Sequence, residues 1–278
     1  MRKIATGVYL ERKFSGIQVG VIEDGQSLML VDSPLREDEV HEWLEDLAEL
    51  GAPKYLVLMD HHPDRILGAR LFDIPGIAHD RTRKIVGAWP DTFKGNTRPI
   101  GGECDHLKRI TGVSMAIPEL SFSGEVLIHI GERIVRLLHK PGPMPGAIWL
   151  LLSDVKVMFI GDAVTKTEPP YFGEADLEKW LDLLDELRSS AFKDYRMISA
   201  RDGLIDRKMI NDMARFLRKI PTAMSKLQCK DGKLEGIERN ASQLMRGYRI
   251  ASARKDQVLQ RLKASLTEMH ARMNPREG

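Results

Sequence analysis

The sequence predicts a layered α/β sandwich followed by a run of helices. Three observations carry this. The elements run β-rich, helix, strand, helix, β-rich, helix, then helices only. Two β-rich halves, each followed by a helix, suit packed layers better than a doubly wound sheet. Finally, no GxGxxG follows a strand and no GxxxxGK followed by Ser or Thr occurs, so dinucleotide and P-loop readings have no support.

The elements are read in order. Ile17–Ile22 and Ser27–Asp32 are short β-rich runs, with turn chemistry over Glu23–Gln26 between them. Val40, Trp43, Leu44, Leu47 and Leu50 recur at spacings of three and four, which predicts a helix that Gly51 ends. Tyr55–Met59 is a continuous apolar strand fit for burial on both faces. It exits into the polar cluster Asp60-His61-His62-Pro63-Asp64-Arg65. Residues 66–72 read as helix and Ile77–His79 as a strand. Residues 87–111 are rich in Gly and Pro without periodicity, which predicts a long loop or lid. Glu125–Ile130 with Arg133–Leu138, and Ala147–Leu152 with Lys156–Ile160, read as two hairpins around the rigid turn Pro141–Gly146. A helix is expected over 174–189, with Leu177, Trp180, Leu181 and Leu184 on one face. Met197-Ile198 closes the strand set. From about 206 onward the chain reads as helical, broken at Pro221 and near Asp231-Gly232.

Composition excludes several classes. With 42% hydrophobic and 29% charged residues, the chain is globular rather than disordered. No apolar run of about 18 residues exists, so no membrane span is expected. The N-terminal residues lack the apolar core of a secretory signal. Cys104 and Cys229 form neither a disulfide framework nor a CxxC pair, and a cytoplasmic setting is the expectation. The net charge of +2 conceals an asymmetry. Residues 204–278 hold 17 basic and 8 acidic side chains, and the remainder holds 25 and 32. An acidic body carries a basic tail, which argues that the tail contacts an acidic surface, its own or a partner's.

Three polar clusters stand at strand exits: residues 60–65, Gly161-Asp162, and Arg201-Asp202-Gly203. Strand exits hold functional groups rigidly while loops admit substrate. These clusters, in their order, resemble the metallo-β-lactamase superfamily, and more specifically its glyoxalase-II-like hydrolase branch. Val19–Asp32 resembles the family's opening hairpin. Asp60–Arg65 stands where the family carries HxHxDH, and Ile77–Arg83 resembles the segment that follows. Leu138–Gly146 resembles the xHTPGHTPG turn, Phe159–Asp162 the FxGD strand end, and Ser199–Gly203 the closing PGHG loop. The likeness covers roughly residues 1–220, with 221–278 left as a C-terminal helical extension. It implies a four-layer αββα sandwich.

The family's ligand positions fall on Asp60, His62, Asp64, Arg65, Pro143, Asp162 and Asp202; only His62, Asp64 and Asp162 keep the ligand type. Arg65 and Pro143 cannot ligate, and a guanidinium among these carboxylates opposes a divalent ion. The resemblance thus implies hydrolase ancestry with a degenerate site, and disfavours dinuclear zinc. Arg65 is expected to replace a metal ion as counter-charge for Asp64, Asp162 or Asp202. Two readings stand. In one, the fold is kept as a metal-free binding or regulatory module. In the other, one divalent ion (manganese, iron or zinc) sits on Asp60, His62 and Asp162 and serves hydrolysis of an ester, thioester or phosphoester. Asp64 or Asp202 would then act as base, and Arg65 would hold a small anionic substrate or the oxyanion. Metal-free catalysis by the acid cluster with His62 is the minor variant.

Other residues read as structural. His61 should pack or cap, and His139 and Asp32 should support. Glu103, Cys104, Asp105 and His106 lack ligand spacing. Trp89, Tyr171 and Phe172 are expected to flank the cleft. In the tail, Leu259, Leu262, Leu266, Met269 and Met273 are spaced three, four, three, four. Ile237, Ala241, Leu244, Met245 and Tyr248 make another apolar face. These faces either fold back on the body or pair with a second subunit, and a homo-oligomer through the C-terminal helices is the expectation. Few aromatics and no recognised module argue against nucleic acid.

Overall fold

The computed structural model describes residues 1–25, 27–230 and 233–274. Its first sheet has the order β1-β2-β3-β4-β5-β6-β9. These strands are β1 (Arg2–Ala5), β2 (Val8–Glu11), β3 (Val19–Asp24), β4 (Ser27–Val31), β5 (Ala52–Val57), β6 (Gly76–His79) and β9 (Leu120–Phe122). A small ribbon, β7 (Thr92–Phe93) with β8 (Ile110–Thr111), lies in the long connection before β9. Pairing is antiparallel from β1 to β4 and parallel from β4 through β5 and β6 to β9. The second sheet runs in sequence order: β10 (Glu125–Ile130), β11 (Arg133–His139), β12 (Ile148–Leu152), β13 (Val157–Phe159), β14 (Arg196–Ser199) and β15 (Gly203–Ile205). Only β13 and β14 pair in parallel there.

The two sheets pack face to face through Val8, Ile22, Met29 and Val31 of the first and Val135, Leu137, Leu150 and Phe159 of the second. Gly20 is required at this contact, because a Cβ there would stand 2.5 Å from the Phe159 ring. Helices cover the outer faces. On the first sheet lie α1 (Glu37–Leu47), with Trp43 and Leu47 buried, and α3 (Asp80–Gly87). Between them is the short α2 (Pro63–Ile66). On the second sheet lie α4 (Leu177–Arg188), α5 (Arg207–Leu217), α6 (Ile220–Met224), α7 (Ile237–Met245) and α8 (Lys255–Met273). Asp176 and Asp206 start α4 and α5 by accepting from the backbone N–H groups of Lys179 and Met209. The layering is αββα.

Several local expectations are corrected. Residues 66–72 are not one helix: α2 ends at Ile66 and a 3₁₀ turn spans Ala69–Leu71. Gly68 lies between them, where a Cβ would come 1.7 Å from the Pro34 carbonyl oxygen. The break expected at Pro221 falls just before it, between Leu217 at the end of α5 and Ile220 at the start of α6; Pro221 itself sits in the first turn of α6, where its missing N–H costs nothing. The tail also holds an antiparallel hairpin, β16 (Gln228–Lys230) with β17 (Lys233–Glu235), from two runs without helical apolar periodicity. The break expected at Asp231-Gly232, and Gln26 of the first turn, lie outside the described residues.

The apolar seam of α8 folds back on the body. Val258, Leu262, Leu266 and Met269 are buried in one cluster with Trp180, Met213 and Phe216, and Leu259 packs against it. Ala241 and Leu244 of α7 join the same cluster. The expected dimer through these helices loses its basis, since the stripe that would build it faces its own chain. Residue 220 marks no gap in the core. Among the described residues no helix is long and apolar enough to cross a membrane.

Leu266→Ala is expected to lower stability by about 2–5 kcal/mol through cavity formation, whereas Met273→Ala, at a 66% exposed position, should change it by less than about 0.5 kcal/mol. Urea unfolding checks this; a Leu266→Ala variant as stable as wild type would mean that the seam faces away from the core.

Candidate functional site

The strand exits of the two sheets converge. β4 leads into Asp32, whose φ of 60° is rare for a residue with a side chain. The Asp32 carboxylate accepts from the Met59 backbone N–H at 2.9 Å. The strand β5 leads through Leu58 and Met59 into Asp60-His61-His62 and then α2. β13 leads through Gly161, at φ +55°, to Asp162. β14 leads to Ala200, whose N–H bonds the Gly161 carbonyl at 3.0 Å, and so to Arg201.

At the convergence stands a fully buried arginine. The Arg65 guanidinium donates to Asp32 Oδ2 at 3.1 Å and to Asp162 Oδ1 at 2.8 Å, and its Nε lies 3.2 Å from Asp60 Oδ1. A second arginine continues the lattice: Arg201 donates to Asp64 Oδ2 at 3.0 Å and to Asp162 Oδ2 at 3.2 Å. It also reaches the Gly16 carbonyl. Two guanidiniums thus hold four carboxylates, and Asp162 bridges them. Asp64 takes a further bond from the Cys104 N–H at 2.9 Å.

Environment divides the four acids. Burial pushes Asp32 up to about 6, with Arg65 opposing it. Burial raises Asp60 in the same way, and its Oδ2 is buried without a partner. Against the same cost of burial, His62 and Arg201 hold Asp64 well below the usual carboxylate range. For Asp162, Arg201 and Arg65 do so. The firm ionic balance is therefore two guanidiniums with Asp64 and Asp162.

His62 caps α2: its Nδ1 accepts from the Asp64 N–H at 3.2 Å. That bond places the ring proton on Nε2. Burial, and then Arg201, push its pKa down to about 3, so the ring is neutral at ordinary pH. His61 turns the other way, with Nε2 at 3.0 Å from both Glu174 oxygens.

A cavity of about 220 Å³ opens over the lattice. His62, Asp64, Asp162, Arg201 and Tyr171 line it, with Gln18, whose Oε1 is buried and unpartnered. The tail adds Arg254 and Arg261 to its wall. Arg254 pairs with Glu168 at 2.7 Å and with Glu103. Arg261 pairs with Glu168 at 2.9 Å and donates to the Gly101 carbonyl at 2.8 Å.

Sequence reasoning placed most of these residues and mistook some roles. Asp60, His62, Asp64, Arg65 and Asp162 do come together. Arg65 does not hold a substrate group: it is wholly buried and ion-paired with three carboxylates. It meets Asp162 as expected, but Asp32 and Asp60 in place of Asp64 and Asp202. Within the proposed metal set, Asp60, His62 and Asp162, lone pairs are turned toward protein donors except at Asp60 Oδ2, which is buried without a partner. Asp60 Oδ1 accepts from the His62 N–H at 2.8 Å, His62 Nδ1 is bonded as above, and both Asp162 oxygens face guanidiniums. Asp202 lines the cavity but clamps the 165–168 loop, accepting from the Lys166 N–H at 2.7 Å and the Thr167 N–H at 3.1 Å. Phe172 and Trp89 pack into apolar clusters, so of the three aromatics only Tyr171 reaches the cavity. His139 is structural, stacked at 3.5 Å on His79. Gln18 and Glu168 were missed, Arg201 was named only as part of a strand-exit cluster, and Glu103 was set aside for want of ligand spacing. For Arg201 the available signal was a cation next to a recognised ligand position. Among the described residues, no group of three or more His, Cys, Asp or Glu side chains is arranged to hold a metal ion.

His62 has a depressed pKa in the folded state, so the unfolded chain binds its proton first as pH falls. Its contribution is complete above about pH 6.5 and declines as pH falls toward 3. The stability difference between wild type and His62→Gln should follow that window, and the ring should remain neutral at pH 5 by NMR. A ring midpoint near 6 would contradict the assignment.

Comparison with known proteins agrees with this architecture. The family described as the metallo-beta-lactamase superfamily matches residues 12–199. A metallo-beta-lactamase family protein from Thermus thermophilus superposes with a TM-score of 0.64 at 19% identity, covering 98% of this chain and 95% of its own. A metallo-beta-lactamase from Pontibacter korlensis gives 0.57 at 17% identity, over 78% and 97% of the two chains. The DIM-1 metallo-beta-lactamase gives 0.61 at 14%, over 78% and 96%. No curated protein sequence matches the chain.

Proposed function

The chain belongs to the metallo-β-lactamase superfamily, and we propose that it works as a binding or regulatory protein whose ion-pair lattice stands in place of a metal centre. One observation carries this reading: Arg65 and Arg201 jointly hold Asp162, with Asp60 and Asp64 on either side. A divalent ion needs those oxygen lone pairs, and its charge would be repelled by two guanidiniums that cannot lose their protons. The residues present therefore do not fit a metal ion. His62 offers one neutral Nε2–H at the cavity wall. A donor at a fixed position orients a small polar ligand.

The ordered motifs support a place beside the glyoxalase-II-like hydrolases, with the ligand set degenerate. The tail forms a wall of the binding cavity rather than an interface. Both cysteines are free, Cys104 buried and Cys229 exposed, which suits the reducing cytoplasm.

Elemental analysis tests the reading. Purified protein should carry less than about a tenth of an ion per chain, before and after incubation with zinc, manganese or iron, and chelators should leave its melting temperature unchanged. Stoichiometric metal that disappears in His62→Ala would overturn the proposal in favour of a mononuclear hydrolase. Separately, Arg65→Ala should destabilise the fold by about 3–5 kcal/mol, because it strands buried carboxylates; chemical denaturation measures it.

A further inference from the structure

A second hollow, of about 320 Å³, meets the first cavity at Thr165, which lines both. One wall is a single stripe of α5: Lys208, Met209, Asp212, Arg215, Phe216 and, just beyond the helix, Lys219. The other walls are the 165–166 loop and residues 246–248 after α7. Five cations line it, Lys166, Lys208, Arg215, Lys219 and Arg246, against one carboxylate. Asp212 is engaged by Lys208 at 2.7 Å and by Arg215. Among the described residues, Lys166, Lys219 and Arg246 have no ion-pair partner. An adjoining hollow shares Lys219 and adds Arg218 and Lys226 with no acid.

Helix electrostatics accounts for part of this charge. Cations near the C-terminal turn of α5 are favourable there, which covers Arg215, Arg218 and Lys219. It also covers Arg246, the C-terminal cap of α7, but not Lys166, which arrives from the loop after β13. The tail's other cations near the cavity, Arg254 and Arg261, are neutralised by Glu103 and Glu168, so this chain does pair its charges where the fold calls for it. The floor of the hollow is aromatic: Tyr248 stands edge-on to the buried Phe216 with ring centroids 5.6 Å apart.

We infer that this hollow binds a small molecule carrying at least two phosphate groups. Each phosphate brings about 1.5 to 2 negative charges at pH 7, so two of them match the net excess of cations around the hollow, and one does not. Lys166, Lys219 and Arg246 donate to the phosphate oxygens, and the Tyr248–Phe216 floor meets the body of the molecule. The inference uses residues outside the ion-pair lattice and stands independently of the reading above.

Calorimetric titration of the full-length chain with inorganic pyrophosphate at low ionic strength tests it. The expected result is one pyrophosphate per chain. Binding should be at least about tenfold weaker for Lys219→Ala/Arg246→Ala and for orthophosphate on wild type. All positions changed are exposed, so unfolding temperatures should match wild type. Lys94→Ala/Arg98→Ala, which removes exposed cations elsewhere, should bind as wild type does. The inference is overturned by the absence of saturable pyrophosphate binding, or by an equal loss in the Lys94/Arg98 control. It is also overturned if a single-stranded oligonucleotide binds several chains per strand and outcompetes pyrophosphate, which would identify a nucleic-acid backbone as the ligand.

Discussion

The structure depends on the burial of one guanidinium. Arg65 has no exposed surface, and removing such a charge from water costs several kcal/mol unless partners surround it. The partners come from three strand exits: Asp32 after β4, Asp60 after β5 and Asp162 after β13. Those exits belong to both sheets, so the cation ties the sandwich together at one end. A divalent ion in the same place would collect oxygen and nitrogen ligands from the same exits. Arginine reproduces the charge and the convergence, but its planar donors fix hydrogen-bond directions and leave no open coordination position.

The lattice also determines what the cavity presents. Arg201 is needed because one guanidinium cannot neutralise the carboxylates brought together here. Its side chain crosses from the end of β14 to Asp64 and Asp162, and so becomes part of the cavity floor. The same positive charge, together with burial, keeps His62 neutral. A neutral imidazole with its Nδ1 tied to the backbone offers only a donor. The chemical character of the cavity thus follows from how buried charge was balanced beneath it.

Much of the fold was legible because it rests on local periodicity. The apolar runs of β5 and β12, the three-and-four spacing of α1 and α4, and the strand exits at Asp60 and Asp162 are all visible along the chain. The presence of Arg65 in a ligand position led to the expectation of a cation among carboxylates, and Arg65 does pair with Asp162. Its partners were less legible, since Asp32 lies 33 residues away and Arg201 is 137 residues from Asp64. Such contacts are decided by which strand exits meet, and not by spacing. The contacts of the loop at residues 103–106 were hidden for the same reason. Glu103 and the Cys104 N–H act at the site through partners on α2 and near the start of α8, and a single stretch of sequence carries no trace of them.

The seam of α8 shows how an ambiguous pattern is resolved by charge. Its three-four spacing is equally compatible with a partner helix and with the chain's own core. The arginines at and near its first turn decide the matter, because Arg254 and Arg261 find Glu103 and Glu168 on the acidic body. Once those pairs form, the apolar stripe must face Trp180 and Phe216, and the helix is committed to its own domain. The split between acidic body and basic tail is therefore partly internal complementarity. It is incomplete, since Lys166, Lys219 and Arg246 gather around an aromatic floor without carboxylates of their own. Uncompensated like charges in a concave site disfavour the folded state slightly and raise the local concentration of anions. The fold tolerates that cost at this hollow after neutralising the equivalent charges beside the cavity, and this contrast favours a ligand site over a merely basic face.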